Sequence, residues 1–268
     1  MTYTYDNDSR LTQAADATGT YAFSYDNLGR LGGTTTDYSF LTSRALTTSY
    51  SYDAASNRAT LTDAEGGITS YSWDFENRLA SATPGGGTTV GFKYDPFGRR
   101  IEKVSSTTTS IYVYDGDNLI EEINSAGSAV ARYTQGLGID EPLAMLRSGV
   151  TSYYEADGLG SVTSLSNSSG TVAASYDFDS YGNLTSSTGT LTNSFRYTAR
   201  EFDSETGLYY YRARYYDPTS GRFLSEDPIR LGGRINYYAY VRNSPIGRID
   251  PFGLCDEKNC LKGLRAFP

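Results

Sequence analysis

The sequence predicts an all-β fold: a repetitive strip of antiparallel hairpins, with about twenty strands and under about 10% helix, coiling into an open spiral or partial shell. Three observations carry this expectation. An aromatic-Asp pair recurs at near-constant spacing, the residues before each pair alternate in character, and no segment shows a strong 3.6-residue pattern.

The pairs stand at Tyr5-Asp6, Tyr25-Asp26, Tyr52-Asp53, Trp73-Asp74, Tyr94-Asp95 and Tyr114-Asp115, in steps of 20, 27, 21, 21 and 20 residues. They return at Tyr176-Asp177 and Tyr216-Asp217, with weaker units marked by Tyr133, Tyr154 and Tyr197. Each clear unit runs aromatic, x, Tyr-Asp, two or three residues, Gly or Asn, Arg, then an aliphatic residue, as in Tyr25-Asp26-Asn27-Leu28-Gly29-Arg30-Leu31. The stretch Tyr21-Ala22-Phe23-Ser24-Tyr25 sets three aromatics on one face of a strand. The Asp accepts hydrogen bonds from its own turn, Gly or Asn takes the positive φ, and Arg opens the return strand. A second turn, such as Asp63-Ala64-Glu65-Gly66-Gly67, closes each unit. One unit of two strands cannot bury its own face, so neighbours must stack side by side. Eight similar pairs over some 200 residues are turn and packing residues, not catalytic ones. Ring area is expected to matter more than the hydroxyl, so Tyr→Phe at Tyr25, Tyr52 or Tyr94 should cost little.

Composition narrows the function. The 25 tyrosines offset a hydrophobic content of only 38%, because a tyrosine ring can line a sheet while its hydroxyl reaches a polar partner. A net charge of -8 makes nucleic acid a poor partner, since tracking phosphates needs excess Lys and Arg. No run approaches the ~20 apolar residues of a membrane helix, and the start, MTYTYDNDSR, carries no signal-peptide pattern. The chain begins inside a repeat, which points to the distal part of a longer protein. With no histidine, Ser-His-Asp, Cys-His and His-zinc chemistry have no residues to work with. Two cysteines, Cys255 and Cys260, build neither a disulfide framework nor a zinc site alone. No cofactor is called for. Gly136-Leu137-Gly138 and Gly85-Gly86-Gly87 lack the strand–helix setting of a phosphate loop. Asp115-Gly116-Asp117-Asn118 lacks the closing Glu of a calcium loop and reads as a turn. The run Tyr209-Tyr210-Tyr211 offers weak support for glycan stacking, but at strand spacing it favours packing.

The units resemble the YD repeats of bacterial RHS proteins, toxin-complex C subunits and teneurins. The resemblance is strongest over residues 196 to 254. That stretch holds Arg196-Tyr197-Thr198-Ala199-Arg200-Glu201-Phe202-Asp203, then Gly207-Leu208-Tyr209-Tyr210-Tyr211-Arg212-Ala213-Arg214-Tyr215-Tyr216-Asp217-Pro218. It continues with Gly221-Arg222-Phe223-Leu224-Ser225-Glu226-Asp227-Pro228 and closes on Asp250-Pro251-Phe252-Gly253-Leu254. It is similar to the RHS repeat-associated core. The segment Tyr153 to Ser161 departs from the family in having no histidine. The resemblance implies three parts: a YD-repeat β shell over 1–195, an RHS-associated core plug over 196–254, and a short variable tail over 255–268. It further implies that the shell encloses a C-terminal cargo, often a toxin, and that the chain is cut after Asp-Pro-x-Gly-Leu.

One constellation has catalytic logic. Asp227 and Asp250, brought together, cannot both ionise cheaply, so one can hold a proton while the other activates water. Spacing alone leaves open that both are turn residues, since Asp-Pro is a common turn dipeptide. Similarity to the RHS and toxin-complex proteins implies an aspartyl-type pair cutting between Leu254 and Cys255. That bond lies four residues from Asp250, where proximity can contribute about 7–11 kcal/mol. An arginine is expected near such a site, and Arg222, Arg242 and Arg248 are the candidates. Any enzyme activity is thus at most a single-turnover self-cleavage with no external substrate.

The leading function is a β-shell fragment of an RHS-type polymorphic toxin or toxin-complex protein. Its expected partners are a C-terminal cargo in a longer parent and a second, shell-completing chain, and the parent is expected to be secreted or delivered to a cell surface. The alternatives are a tyrosine-rich surface-binding module and an inactive truncated remnant.

Overall fold

The computed structural model describes residues 1–41, 43–229 and 236–254. Strand accounts for 51% of the chain and helix for 2%, matching the all-β expectation. Eighteen strands, from Thr2–Tyr5 to Leu184–Thr188, make up an open antiparallel sheet. Along most of its length each strand pairs with its neighbour in sequence, as a hairpin strip requires. A second antiparallel sheet holds four short strands: Glu201–Asp203, Leu208–Tyr211, Arg214–Asp217 and Arg222–Phe223. No helix among the described residues is long and apolar enough to cross a membrane.

The aromatic-Asp turn is built the same way at four of its sites. In the turns that begin at Asp6, Asp26, Asp74 and Asp95, Oδ1 accepts from the N–H groups two and four residues on. Oδ2 takes the Nε–H of the Arg at the fifth position, at 2.6–2.7 Å. The fourth position has positive φ, from 59° at Asn77 to 81° at Gly98. One carboxylate thus satisfies three donors that a five-residue loop would otherwise leave to water. The pairs at Tyr114-Asp115 and Tyr176-Asp177 depart from this scheme. Asp115 and Asn118 face each other across a two-residue hairpin tip, so that loop is a turn. Asp177 lies inside the strand Val172–Phe178, and the turn belongs to Phe178-Asp179 instead. The sequence Tyr176-Asp177-Phe178-Asp179 offers both registers, and Gly182, at φ 88°, fixes the second by standing three residues after Asp179.

Chain compactness divides the protein into two units, Met1–Ser72 with Ala82–Thr88, and Trp73–Ser81 with Thr89–Pro268. In the first, hydroxyls pair across strands, as Thr34 with Thr48 and Ser51 with Thr60, both at 2.6 Å. Its arginines lie over tyrosines of the following turn, Arg10 on Tyr25 at 5.0 Å and Arg30 on Tyr52 at 4.5 Å. The second repeats this with Arg78 on Tyr94 at 4.8 Å. The tyrosine hydroxyls are also engaged, which adds a hydrogen bond to the contribution expected from ring area. Tyr25, Tyr52 and Tyr94 donate to the backbone carbonyls of Leu11, Leu31 and Leu79 at 2.8–2.9 Å. Each hydroxyl satisfies a carbonyl of the preceding unit, which Tyr→Phe would leave without that donor.

The second unit also holds the larger core. Tyr112, Met145, Leu165 and Phe195 centre one cluster, and Tyr209, Tyr211, Tyr216, Phe223 and Tyr240 another. Tyr209, Tyr210 and Tyr211 are buried, so the run packs and is not open to a sugar. Their hydroxyls grip shell turns: Tyr209 donates to Gly182 O at 3.0 Å and Tyr216 to Tyr181 O at 2.8 Å. Arg100 is buried among Tyr112, Tyr210, Glu201 and Asp203, with its Nη2 2.7 Å from Glu201. Acidic and aromatic partners more than offset the desolvation of that guanidinium, so its pKa is raised. These contacts fix the four-stranded sheet against the strands around it.

Candidate active site

Asp250 begins a turn of the same kind as those of the shell. Its carbonyl accepts from Gly253 N at 3.4 Å and its Oδ1 from Leu254 N at 3.0 Å. Gly253 has φ 68°, and a Cβ there would fall 2.3 Å from Tyr211 O, so glycine is required on both counts. The turn rests on the tip of the hairpin between Leu208–Tyr211 and Arg214–Asp217, whose two tip residues are Arg212 and Ala213. Three successive carbonyls are held there. Pro251 O accepts from the Arg212 side chain, Phe252 O from Ala213 N at 3.2 Å, and Gly253 O from Arg214 Nε. Arg212 adopts φ 59° and is itself fixed by Asp140, whose Oδ1 lies 2.7 Å from its Nη2. Arg200 pairs with the same Asp140.

Asp227 reaches the same place from another segment. Its backbone N–H donates to Tyr237 O at 3.1 Å, and its Oδ1 accepts from Ile229 N at 3.0 Å across Pro228. Arg214 Nη2 lies 3.5 Å from Asp227 Oδ2 and 3.5 Å from Asp250 Oδ2. Its Nη1 donates to Tyr237 O at 3.0 Å, and its guanidinium carbon sits 3.6 Å from the centre of the Phe223 ring. All three charged side chains are buried, none more than 5% exposed.

This geometry alters the chemistry that the two aspartates alone would have. A guanidinium set between them offsets the repulsion of two neighbouring carboxylates. At 3.5 Å each pairing is longer than a charge-assisted bond of about 2.7–2.9 Å. Asp250 grips the N–H of Leu254, and the carbonyl carbon of Leu254 lies only about 2.5 Å from that nitrogen along the backbone. The Asp250 carboxyl is therefore held at the backbone of Leu254, and Arg214 links it to Asp227.

The structure brings together Asp227, Asp250 and Leu254. Arg214, which sequence reading does not single out, is set against both carboxylates. Arg222 lies in the short strand opposite Asp217, Arg242 is exposed in the turn Val241–Asn243, and Arg248 is half-buried just before Asp250. Closeness in sequence favours those three, whereas Arg214 arrives through hairpin pairing. A signal for it exists: Arg212 and Arg214 are cations inside Tyr209 to Tyr216, a stretch too aromatic to lie at a surface. Cys255 lies outside the described residues.

Fold and site together define a repetitive β strip whose C-terminal core carries a buried aspartate pair. No family model matches the chain. Among curated proteins it is 37% identical over 171 residues to a tRNA3(Ser)-specific nuclease, WapA, of Bacillus spizizenii, covering 60% of this chain and 7% of the nuclease. It is 29% identical over 194 residues to double-stranded DNA deaminase toxin A of Burkholderia cenocepacia, covering 61% of this chain and 14% of the toxin. Among solved structures, the TcdB2-TccC3 crystal structure superimposes with a TM-score of 0.62 at 21% identity, over 94% of this chain and 16% of that one. TcdB2-TccC3 without its hypervariable C-terminal region gives 0.61 at 23%, over 94% and 15%. At such identities the likeness carries the fold alone, a repetitive antiparallel β strip. The chain is similar to proteins of the RHS and toxin-complex type.

Proposed function

We propose that this chain is the terminal part of a cargo-enclosing β shell, and that Asp227 and Asp250 sever the shell from its C-terminal segment after Leu254. The observation that carries the cleavage reading is the double engagement of Asp250. One oxygen holds the Leu254 N–H, and the other shares Arg214 with Asp227. In the reaction one carboxylate takes a proton from water, the oxygen adds to the Leu254 carbonyl carbon, and the tetrahedral oxyanion forms near the Arg214 cation. The C–N bond to Cys255 then breaks, the proton passes to the departing amine, and the new carboxyl stays on Leu254. Each chain turns over once.

The enclosing role is supported by the relatives. They are named for enzymes, a nuclease and a deaminase, yet the chain matches only 7% and 14% of their lengths. A shared segment beside differing activities suits a carrier. The pairing of two components in TcdB2-TccC3 favours a second chain that completes the shell.

Denaturing intact-mass measurement tests the cleavage. Wild type should separate into residues 1–254 and 255–268, and Asp227→Asn and Asp250→Asn should stay whole. Wild type persisting at full mass, or Asn variants cutting at the wild-type rate, would overturn the assignment.

A further inference from the structure

The cleavage motif is a shell turn with one residue exchanged. Asp95-Pro96-Phe97-Gly98-Arg99 and Asp250-Pro251-Phe252-Gly253-Leu254 share their first four residues. Both have the Oδ1 bond to the fifth N–H and positive φ at the fourth residue. They part at Oδ2. In the shell turn the fifth residue closes on it: Arg99 Nε stands 2.7 Å from Asp95 Oδ2. Asparagine does the same elsewhere, Asn57 to Asp53 at 3.1 Å and Asn183 to Asp179 at 2.8 Å. Leucine has no donor, and Asp250 Oδ2 turns to Arg214 at 3.5 Å.

We propose that Leu254 is a positioning residue that acts by withholding this clamp, leaving the second oxygen of Asp250 to Arg214 and Asp227; this rests on the cleavage reading above. The turn does not need the clamp. At Asp157 the Oδ1 bonds to Leu159 N and Ser161 N form at 2.9 and 2.8 Å with serine at the fifth position. The turn therefore forms without the clamp, and a fifth residue with no donor long enough to reach Oδ2 leaves that oxygen to the core. A donor there is four residues away on an ordered turn, and in the shell turns that carry one it binds Oδ2 at 2.6–3.1 Å. The preference for leucine before the cut is then set by the carboxylate, not by a pocket for the leucine side chain.

Three variants of the full chain test this. Leu254→Met has no strong donor and should cut within about threefold of wild type, in line with the tolerance of cores for volume-conserving exchange. Leu254→Arg should slow cleavage on the order of 100-fold, the scale expected when a reacting group is displaced by ~1 Å. Leu254→Asn is the decisive variant, being uncharged and close to leucine in size, and should slow it by roughly 10-fold through the same closure. Asn and Arg variants that cut like the Met variant would overturn the proposal. Crystal structures give a readout independent of cleavage. In both donor variants Asp250 Oδ2 should leave Arg214 for the introduced group. If it stays on Arg214, the proposal fails. If the clamp forms but wild type never cuts, the clamp stands and the cleavage reading falls.

Discussion

At Asp95 the turn Asp-Pro-Phe-Gly stands open to solvent, with Phe97 84% exposed and nothing within 4 Å of where a Gly98 Cβ would be. At Asp250 the same four residues are pressed onto a hairpin tip. Phe252 is half-buried beneath Arg212 at 5.5 Å, and Gly253 lies against Tyr211 O. The first aspartate pairs with its own turn's arginine, and the second with an arginine from another hairpin. Four identical residues thus give one backbone shape, while the fifth residue and the surroundings decide what the carboxylate does. A repeat protein can acquire a site in this way, by relieving one copy of a structural residue of its partner.

The comparison is broken most severely at the arginines. Arg214→Ala leaves two buried aspartates without their cation, together with the carbonyls of Gly253 and Tyr237, and should cost about 3–5 kcal/mol. Arg99→Ala removes a half-exposed partner and should cost only ~0.2–1 kcal/mol. Urea unfolding of both variants checks the contrast, and equal losses would refute it.

The glycines sharpen it next. Gly98→Ala meets only the left-handed backbone penalty of about 1–2 kcal/mol. Gly253→Ala adds a clash with backbone worth ~1–3 kcal/mol more. Unfolding midpoints that shift alike would show that the Asp250 turn is not pressed onto the hairpin.

A smaller effect concerns the hydroxyls. Tyr94→Phe should lose about 1 kcal/mol through the Leu79 carbonyl, against ~3–5 kcal/mol for Tyr94→Ala. Thermal unfolding distinguishes them, and a neutral Tyr94→Phe would return the stabilisation to ring area alone.

The smallest effect is acid sensitivity of the shell turns. Burial works to raise the Asp95 pKa, but hydrogen bonds from the Arg99 side chain, Arg99 N–H and Phe97 N–H outweigh it and hold the carboxyl below its ordinary value of 3.8. A carboxyl depressed on folding contributes stability above its unfolded pKa and loses it as pH falls through its folded pKa. The advantage of wild type over Asp95→Asn should therefore be full well above 3.8, near pH 6, and decline as pH falls below 3.8. An advantage independent of pH would remove the ionised carboxylate from the account.

The sequence by itself determined the β class, the hairpin period and the turn chemistry of each Asp with its Gly and Arg, whereas the pairing of Asp227 with Asp250 was legible only through resemblance. The first three arise from local rules: alternation sets strand faces, and a turn's hydrogen bonds close within five residues. Where local rules allow two answers, as at Tyr176-Asp177-Phe178-Asp179, the glycine spacing was legible but easily passed over. Tertiary structure alone decided that Arg214 joins Asp227 to Asp250. It alone decided that tyrosine hydroxyls cap the carbonyls of the preceding unit, and that Gly253 must fit against Tyr211. Each depends on which hairpin lies against which, and that is fixed by the burial of whole faces rather than by any residue's neighbours along the chain.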